Sequence, residues 1–252
     1  MIRFEDDAGV RTITLDRPEA RNALTSDAFA AFDRMLRESA DDDGIGAVIV
    51  TGAGREAFCA GQDLKELPGI DPLALGSHPF HAFIETLNGF PKPLVAAVRG
   101  VAVGAGVTML PYFDFVVAST DARFHTPFVE LGVPTEGGSS LMLPATVGPR
   151  VAARMLLLAE WITADDALGA GLVSAVVDGD DVAPRATELA RRLLALPASA
   201  VTATKRLLVE ARRDAVSAAF ARERAAGLDL YTAPAFRARL AEFGRSGKPP
   251  VP

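Results

Sequence analysis

The chain has 252 residues, 49% of them hydrophobic and 23% charged, with a formal net charge of −6. That balance suits a folded chain with a sizeable core and argues against a nucleic-acid partner, though it leaves room for a local basic site that holds a phosphorylated ligand. The single cysteine, Cys59, excludes an internal disulfide framework and fits a reducing compartment, so a cytoplasmic location is expected.

The first ten residues carry three acids and do not read as a secretory signal. The weakly polar run over 100–113 is too short and too glycine-rich to span a bilayer, so no membrane partner is expected. Val10 to Leu15 alternates apolar and polar residues, as a half-buried strand does. Asp16-Arg17-Pro18 ends it. Thr25 or Ser26 is the expected cap of a helix with Phe29, Phe32, Met35 and Leu36 at helical spacing. Ala47 to Val50 reads as a strand buried on both faces, and strand, helix, strand at this spacing predicts an α/β fold.

Residues 51–57 satisfy a G-x-G-x-x-A pattern, but no regular helix follows to face a pyrophosphate. They lead instead into Phe58-Cys59-Ala60-Gly61-Gln62-Asp63-Leu64, a small-residue cluster from which Gln62-Asp63 can start a helix with outward N–H groups. Cys59 lacks a neighbouring base and reads as packing. The three histidines, at 78, 81 and 125, do not have metal-ligand spacing. Residues 71–79 read as an exposed loop, 80–87 as a short helix, 94–98 as a buried strand and 113–118 as another strand.

Gly100 to Gly106 is a second strand-to-helix turn of small residues. Two such turns, around Ala60 and Ala105, can each present a backbone N–H, and a pair aimed at one oxygen is an oxyanion hole. They are equally readable as two tight α/β connections. Glu136 lies between Pro134-Thr135 and Gly137-Gly138, ahead of an apolar run. A carboxylate in that setting is either a desolvated base or a cap for the helix that follows.

The motifs RPEARNAL (17–24), AFCAGQDL (57–64), KPLVAAVRGVAVGAG (92–106), the FHTPF…LG…EGG segment (124–138) and ITADDALGAGLVSAVV (162–177) together resemble the crotonase superfamily, the enoyl-CoA hydratases and isomerases. The resemblance covers almost the whole chain. It implies a spiral of repeated ββα units, a core over 1–196, and a C-terminal helical region over 197–252 that packs in trimers, often paired as hexamers. It implies an acyl-CoA thioester ligand, with coenzyme A as part of the substrate and no separate cofactor. By the same resemblance the thioester oxygen sits between the N–H groups of Ala60 and Ala105, Arg21 lies near the CoA phosphates or pantetheine, and Ala23, Ala60, Gln62, Asp63 and Leu64 line the ligand's path. Val103, Gly104, Phe128 and Leu131 complete the binding set, and Lys248 can reach a phosphate.

Hydratases of this superfamily use two glutamates, whose positions here hold Thr108 and Phe128. Glu136 instead matches the single base of the peroxisomal-type Δ3,Δ2-enoyl-CoA isomerases. The expected reaction is therefore a 3-enoyl to 2-enoyl shift. The alternatives are another crotonase-fold enzyme, such as a divergent hydratase or a thioester-processing enzyme using Glu136 or a second acid, Glu130, and a non-catalytic acyl-CoA binder. The final quarter reads as helices over 184–196, 199–213, 214–230 and 235–243, after a strand over 172–177. Leu207, Leu208, Phe220, Leu228, Leu230 and Tyr231 form apolar faces expected in part to meet neighbouring subunits.

Overall fold

The structure, a computed structural model, describes residues 1–67 and 78–246. Lys248 and most of the 71–79 loop lie outside the described residues. Strands β1 (Ile2–Asp7) and β2 (Val10–Leu15) form an antiparallel hairpin around Ala8 and Gly9. β2 was expected to be half-buried by its alternation, but both its faces are covered. Ile13 and Leu15 enter the main core, and Val10 packs in a second cluster on the other side of the sheet. Arg11 is buried in the same strand because Asp6, Asp42 and Ser39 all bond its guanidinium.

Helix α1 (Ser26–Asp41) starts where Thr25 Oγ1 accepts the Ala28 N–H at 3.1 Å. Its Phe29 and Phe32 pack on Phe83 of α2 (Pro79–Gly89), with ring centroids 5.6 and 4.8 Å apart. Between these helices run β3 (Ala47–Gly52) and β4 (Ala57–Cys59). The pattern then repeats. β5 (Leu94–Val98), β6 (Val101–Val103) and the single-turn helix α3 (Ala105–Thr108) make one unit. β7 (Phe115–Ser119), β8 (Arg123–His125) and α4 (Phe128–Leu131) make the next.

Each unit gives its first strand to one sheet and its second strand to another. With β9 (Ile162–Thr163) and β10 (Ala175–Val177), the six-stranded sheet has the order β1-β2-β3-β5-β7-β10 and the four-stranded sheet β4-β6-β8-β9. The strand expected over 172–177 is confined to its last three residues. The chain therefore winds as a spiral, the crotonase-like α/β architecture. α7 (Val182–Leu194) covers the far face of the larger sheet with Val182, Ala186 and Ala190.

α5 (Ser139–Leu158) has the length and apolarity of a membrane span. Gly148, at φ 75°, breaks it into two pieces, neither near the ~20 residues a bilayer requires. Its Met142, Leu143, Val147, Ala152 and Met155 join the main core. α6 (Ala164–Ala170) is capped by Thr163, whose hydroxyl accepts the Asp166 N–H, and is stopped by left-handed Gly171.

The last helices are α8 (Ala198–Glu210), α9 (Arg213–Thr232) and α10 (Pro234–Ser246). Lys205 of α8 is buried and bonds both oxygens of Asp114 at 2.7 Å, and Asp114 also accepts the Leu94 N–H. That bond ties the C-terminal helices to the larger sheet. Phe220 and Val216 of α9 belong to the main core, so Phe220 is not the subunit-facing residue its spacing suggested. α10 sets Phe236 and Leu240 on Phe128, Leu131 and Val133.

Candidate active site

β4 and β6 are parallel neighbours, with Cys59 beside Ala102. Their C-terminal ends therefore lie together, and the two small-residue turns that follow them meet. The carboxyl ends of parallel strands are where open α/β sheets place ligands. Glycine is required for so close an approach: a Cβ on Gly61, at φ +80°, would lie 2.7 Å from the Val103 carbonyl oxygen.

The first turn is held by the 17–24 segment. Leu24 donates to the Gly61 carbonyl at 2.8 Å, and the Asp63 N–H donates to Leu24 at 2.8 Å. The Asn22 amide donates to the Ala53 and Ala57 carbonyls at 2.9 and 2.7 Å, and Arg17 bonds both the Ala23 carbonyl and the Asp63 carboxylate. Arg17 and Asn22 thus position the turn, which spacing alone did not indicate. The Asp63 carboxylate also accepts the Lys65 N–H at 3.1 Å, as a helix cap does, and the turn that follows runs to the edge of the described residues.

These bonds correct one expected donor. The Ala60 N–H donates to the Arg21 carbonyl at 3.0 Å and is unavailable to a ligand. The Gln62 N–H has no acceptor among the described residues, and neither does that of Ala105, which opens α3. The pair of free donors is therefore at Gln62 and Ala105.

Both turns open into one cavity of about 440 Å³. Arg21, Ala23, Ala60, Gln62, Asp63, Leu64, Val103, Gly104, Ala105, Phe128, Leu131 and Glu136 all line it, as do Tyr231 and Phe236 from the C-terminal helices and Trp161. Tyr231, expected on a subunit-facing surface, turns inward instead. Trp161 stacks on buried His125 with centroids 4.3 Å apart. The cavity fits the range of small-molecule sites, with room at its mouth for a longer ligand to extend into solvent.

Three carboxylates line this cavity among the described residues: Glu19, Asp63 and Glu136. Arg17 pairs with the first two, at 4.0 and 3.1 Å. Glu136 pairs with no cation among the described residues; its partner is the Tyr231 hydroxyl, which donates to Oε2 at 3.4 Å. Burial pushes the Glu136 carboxyl up to about 7, the negative Glu223 adds to that, and the Tyr231 bond opposes it. Glu136 does not cap α5 with its side chain, since that role falls to Glu223 of α9, whose carboxylate accepts the Gly138 and Ser140 N–H groups at 2.7 Å each.

The two hydratase positions hold no acid. Thr108 is fully buried behind the Gly137 turn, and Phe128 packs in the α10 cluster. Glu130 lies outside the cavity, 3.4 Å from His125 Nε2, and is not placed to serve as a second acid. Cys59 is buried and accepts the Gly61 N–H; burial pushes its thiol up to about 12, which fits packing rather than nucleophilic work. No cluster of metal-ligating side chains occurs among the described residues.

Residues 5–240 match the enoyl-CoA hydratase/isomerase family. The chain is 37% identical over 215 residues to the 2,3-dehydroadipyl-CoA hydratase of Escherichia coli, covering 85% of this chain and 84% of that protein. It is 37% identical over 181 residues to the peroxisomal enoyl-CoA delta isomerase 3 of Mus musculus, covering 70% of this chain and 56% of that one. An enoyl-CoA hydratase/isomerase structure from Pseudoalteromonas atlantica superposes with a TM-score of 0.91 at 32% identity, covering 100% of this chain and 99% of that one. The spiral, the paired turns and these similarities lead to one conclusion: the chain belongs to the enoyl-CoA hydratase/isomerase family of the crotonase superfamily, whose members act on CoA thioesters.

Proposed function

We propose that the chain is an enoyl-CoA isomerase that moves a double bond from C3 to C2 of an acyl-CoA. The supporting observation is Glu136, the cavity's one carboxylate without a cation among the described residues, held near neutrality by burial. An ionised Glu136 takes a proton from C2 of a 3-enoyl thioester. The electrons pass into a dienolate whose oxygen is met by the Gln62 and Ala105 N–H groups. The protonated Glu136 then delivers its proton at C4, leaving the 2-enoyl product and the regenerated carboxylate.

One group suffices because the same proton leaves and returns. Hydration would need a second group to direct water, and Thr108 and Phe128 supply none. Phe128, Leu131 and Phe236 make the surroundings apolar and help to keep water out. Arg21, at the cavity's rim, is the proposed contact for the CoA phosphates. A homotrimer or hexamer belongs to the same proposal.

The experiment supplies 3-hexenoyl-CoA and 2-hexenoyl-CoA separately to the purified protein and follows both by chromatography. Conversion of the first to 2-hexenoyl-CoA, with little 3-hydroxy product from the second, is expected. Rapid hydration of 2-hexenoyl-CoA would replace the isomerase reading with that of a hydratase, and tight binding without turnover would make the chain a binder.

A further inference from the structure

α9 carries an acid that the proposed reaction does not use. Glu223 is only 7% exposed. Its Oε2 accepts the Gly138 N–H and its Oε1 the Ser140 N–H, both at 2.7 Å. Gly138 has no side chain with which to cap α5, so an acid 85 residues away in sequence supplies the cap. The same turn is held from its other sides. The Tyr112 hydroxyl donates to the Gly137 carbonyl at 2.7 Å, and the Ser139 hydroxyl donates to the Glu136 carbonyl at 2.6 Å. Tyr231 lies about two helical turns beyond Glu223 on α9, on the same face, and its hydroxyl reaches Glu136 itself.

The two buried glutamates are not equivalent. Glu223 has two N–H donors and the positive end of α5, both of which favour the ionised form. Glu136 has one long bond from a phenol. We propose that Glu223 is a positioning residue: it fastens the 136–140 turn to the start of α5, and its negative charge adds to burial in strengthening Glu136 as a base. This rests on the reading of Glu136 as the base. A carboxylate of ordinary acidity is a poor acceptor for a C2 proton, and a like charge held close makes it a better one.

Other groups surround the pair. His78, His81, Glu223 and Arg224 line a second cavity of about 350 Å³ that shares Gln62, Glu136 and Tyr231 with the first, and Tyr112 lies beneath Gly137. Burial raises the Glu223 carboxyl above its usual range, and the Ser140 and Gly138 bonds, with a smaller part from the Arg222 charge, oppose that rise. Among the described residues no cation forms an ion pair with Glu136, so Glu223 is the charge expected to dominate.

The test is a carbon-13 NMR titration of protein labelled at the glutamate side-chain carboxyl, with Glu136→Gln and Glu223→Gln used to assign the two signals. In the native protein Glu223 must titrate below Glu136. In Glu223→Gln the Glu136 midpoint moves down by about one pH unit or more. The acid limb of kcat against pH moves with it, so that well below the midpoint the variant keeps roughly tenfold more of its maximal rate. Glu223→Asp, which keeps the charge, leaves the midpoint nearer the native one. Two results overturn the proposal: Glu223 titrating above Glu136 in the native protein, or an unmoved Glu136 midpoint in Glu223→Gln beside a lowered melting temperature, which makes Glu223 a cap alone. A fully active Glu136→Gln would instead remove the base reading, whatever the titration shows.

Discussion

Glu136 is a carboxyl that this fold makes costly to ionise. Its folded value is raised from 4.5 to about 7, first by burial and then by Glu223. A group raised in this way contributes stability below its unfolded value that is lost as pH climbs through the folded one. The window is therefore pH 4.5 to 7, and at ~1.4 kcal/mol per unit the loss is on the order of 3 kcal/mol. Glu136→Gln keeps the shape without the charge. It is expected to unfold at higher urea than the native protein at pH 8.5, with the gap closing toward pH 4.5. An equal gap at both pH values would mean that Glu136 is not desolvated. The residue was visible in the sequence, but its role was not, because base and cap share one local pattern. What separates them is Glu223, brought to the α5 start from 85 residues away. The shift of the first donor from Ala60 to Gln62 has a similar origin, since the Arg21 carbonyl that occupies the Ala60 N–H comes from a distant segment.

At the scale of elements, the site exists because β4 and β6 are parallel neighbours whose ends carry turns of matching design. Both strand-turn pairs were legible from small residues after apolar runs, and the resemblance supplied their pairing. The burial of β2 was not legible, because alternation reports one sheet face while α7, far along the chain, covers the other. Ala105 opens α3, and its N–H is a donor the helix itself does not need. Proline is tolerated at that first helical position and lacks the N–H. Ala105→Pro is expected to fold with a melting temperature close to native and to lose a factor on the order of 10² in kcat. Near-native turnover in a folded Ala105→Pro protein would remove this donor from the mechanism.

At the scale of the molecule, the spiral places the turns and the C-terminal helices close the cavity over them. Tyr231 and Phe236 reach the site from α9 and α10, an assignment no local pattern announces because their apolar spacing reads equally as a subunit surface. Leu157, Leu158, Leu207 and Leu208 remain outward at 70%, 66%, 64% and 61% exposure, more apolar surface than an isolated helix pair needs. A trimer or hexamer is the expected mass by light scattering, and a monomer at micromolar concentration would remove that part of the proposal. The measurement that bears most directly on the whole account is the turnover of 3-hexenoyl-CoA by the native protein beside Glu136→Gln, with acyl-CoA affinity measured for both. The account predicts 2-hexenoyl-CoA from the native protein, a loss of 10² to 10⁴ in kcat in the variant, and similar affinity in the two. Equal turnover in both would contradict it, because the proton would then be moved without Glu136.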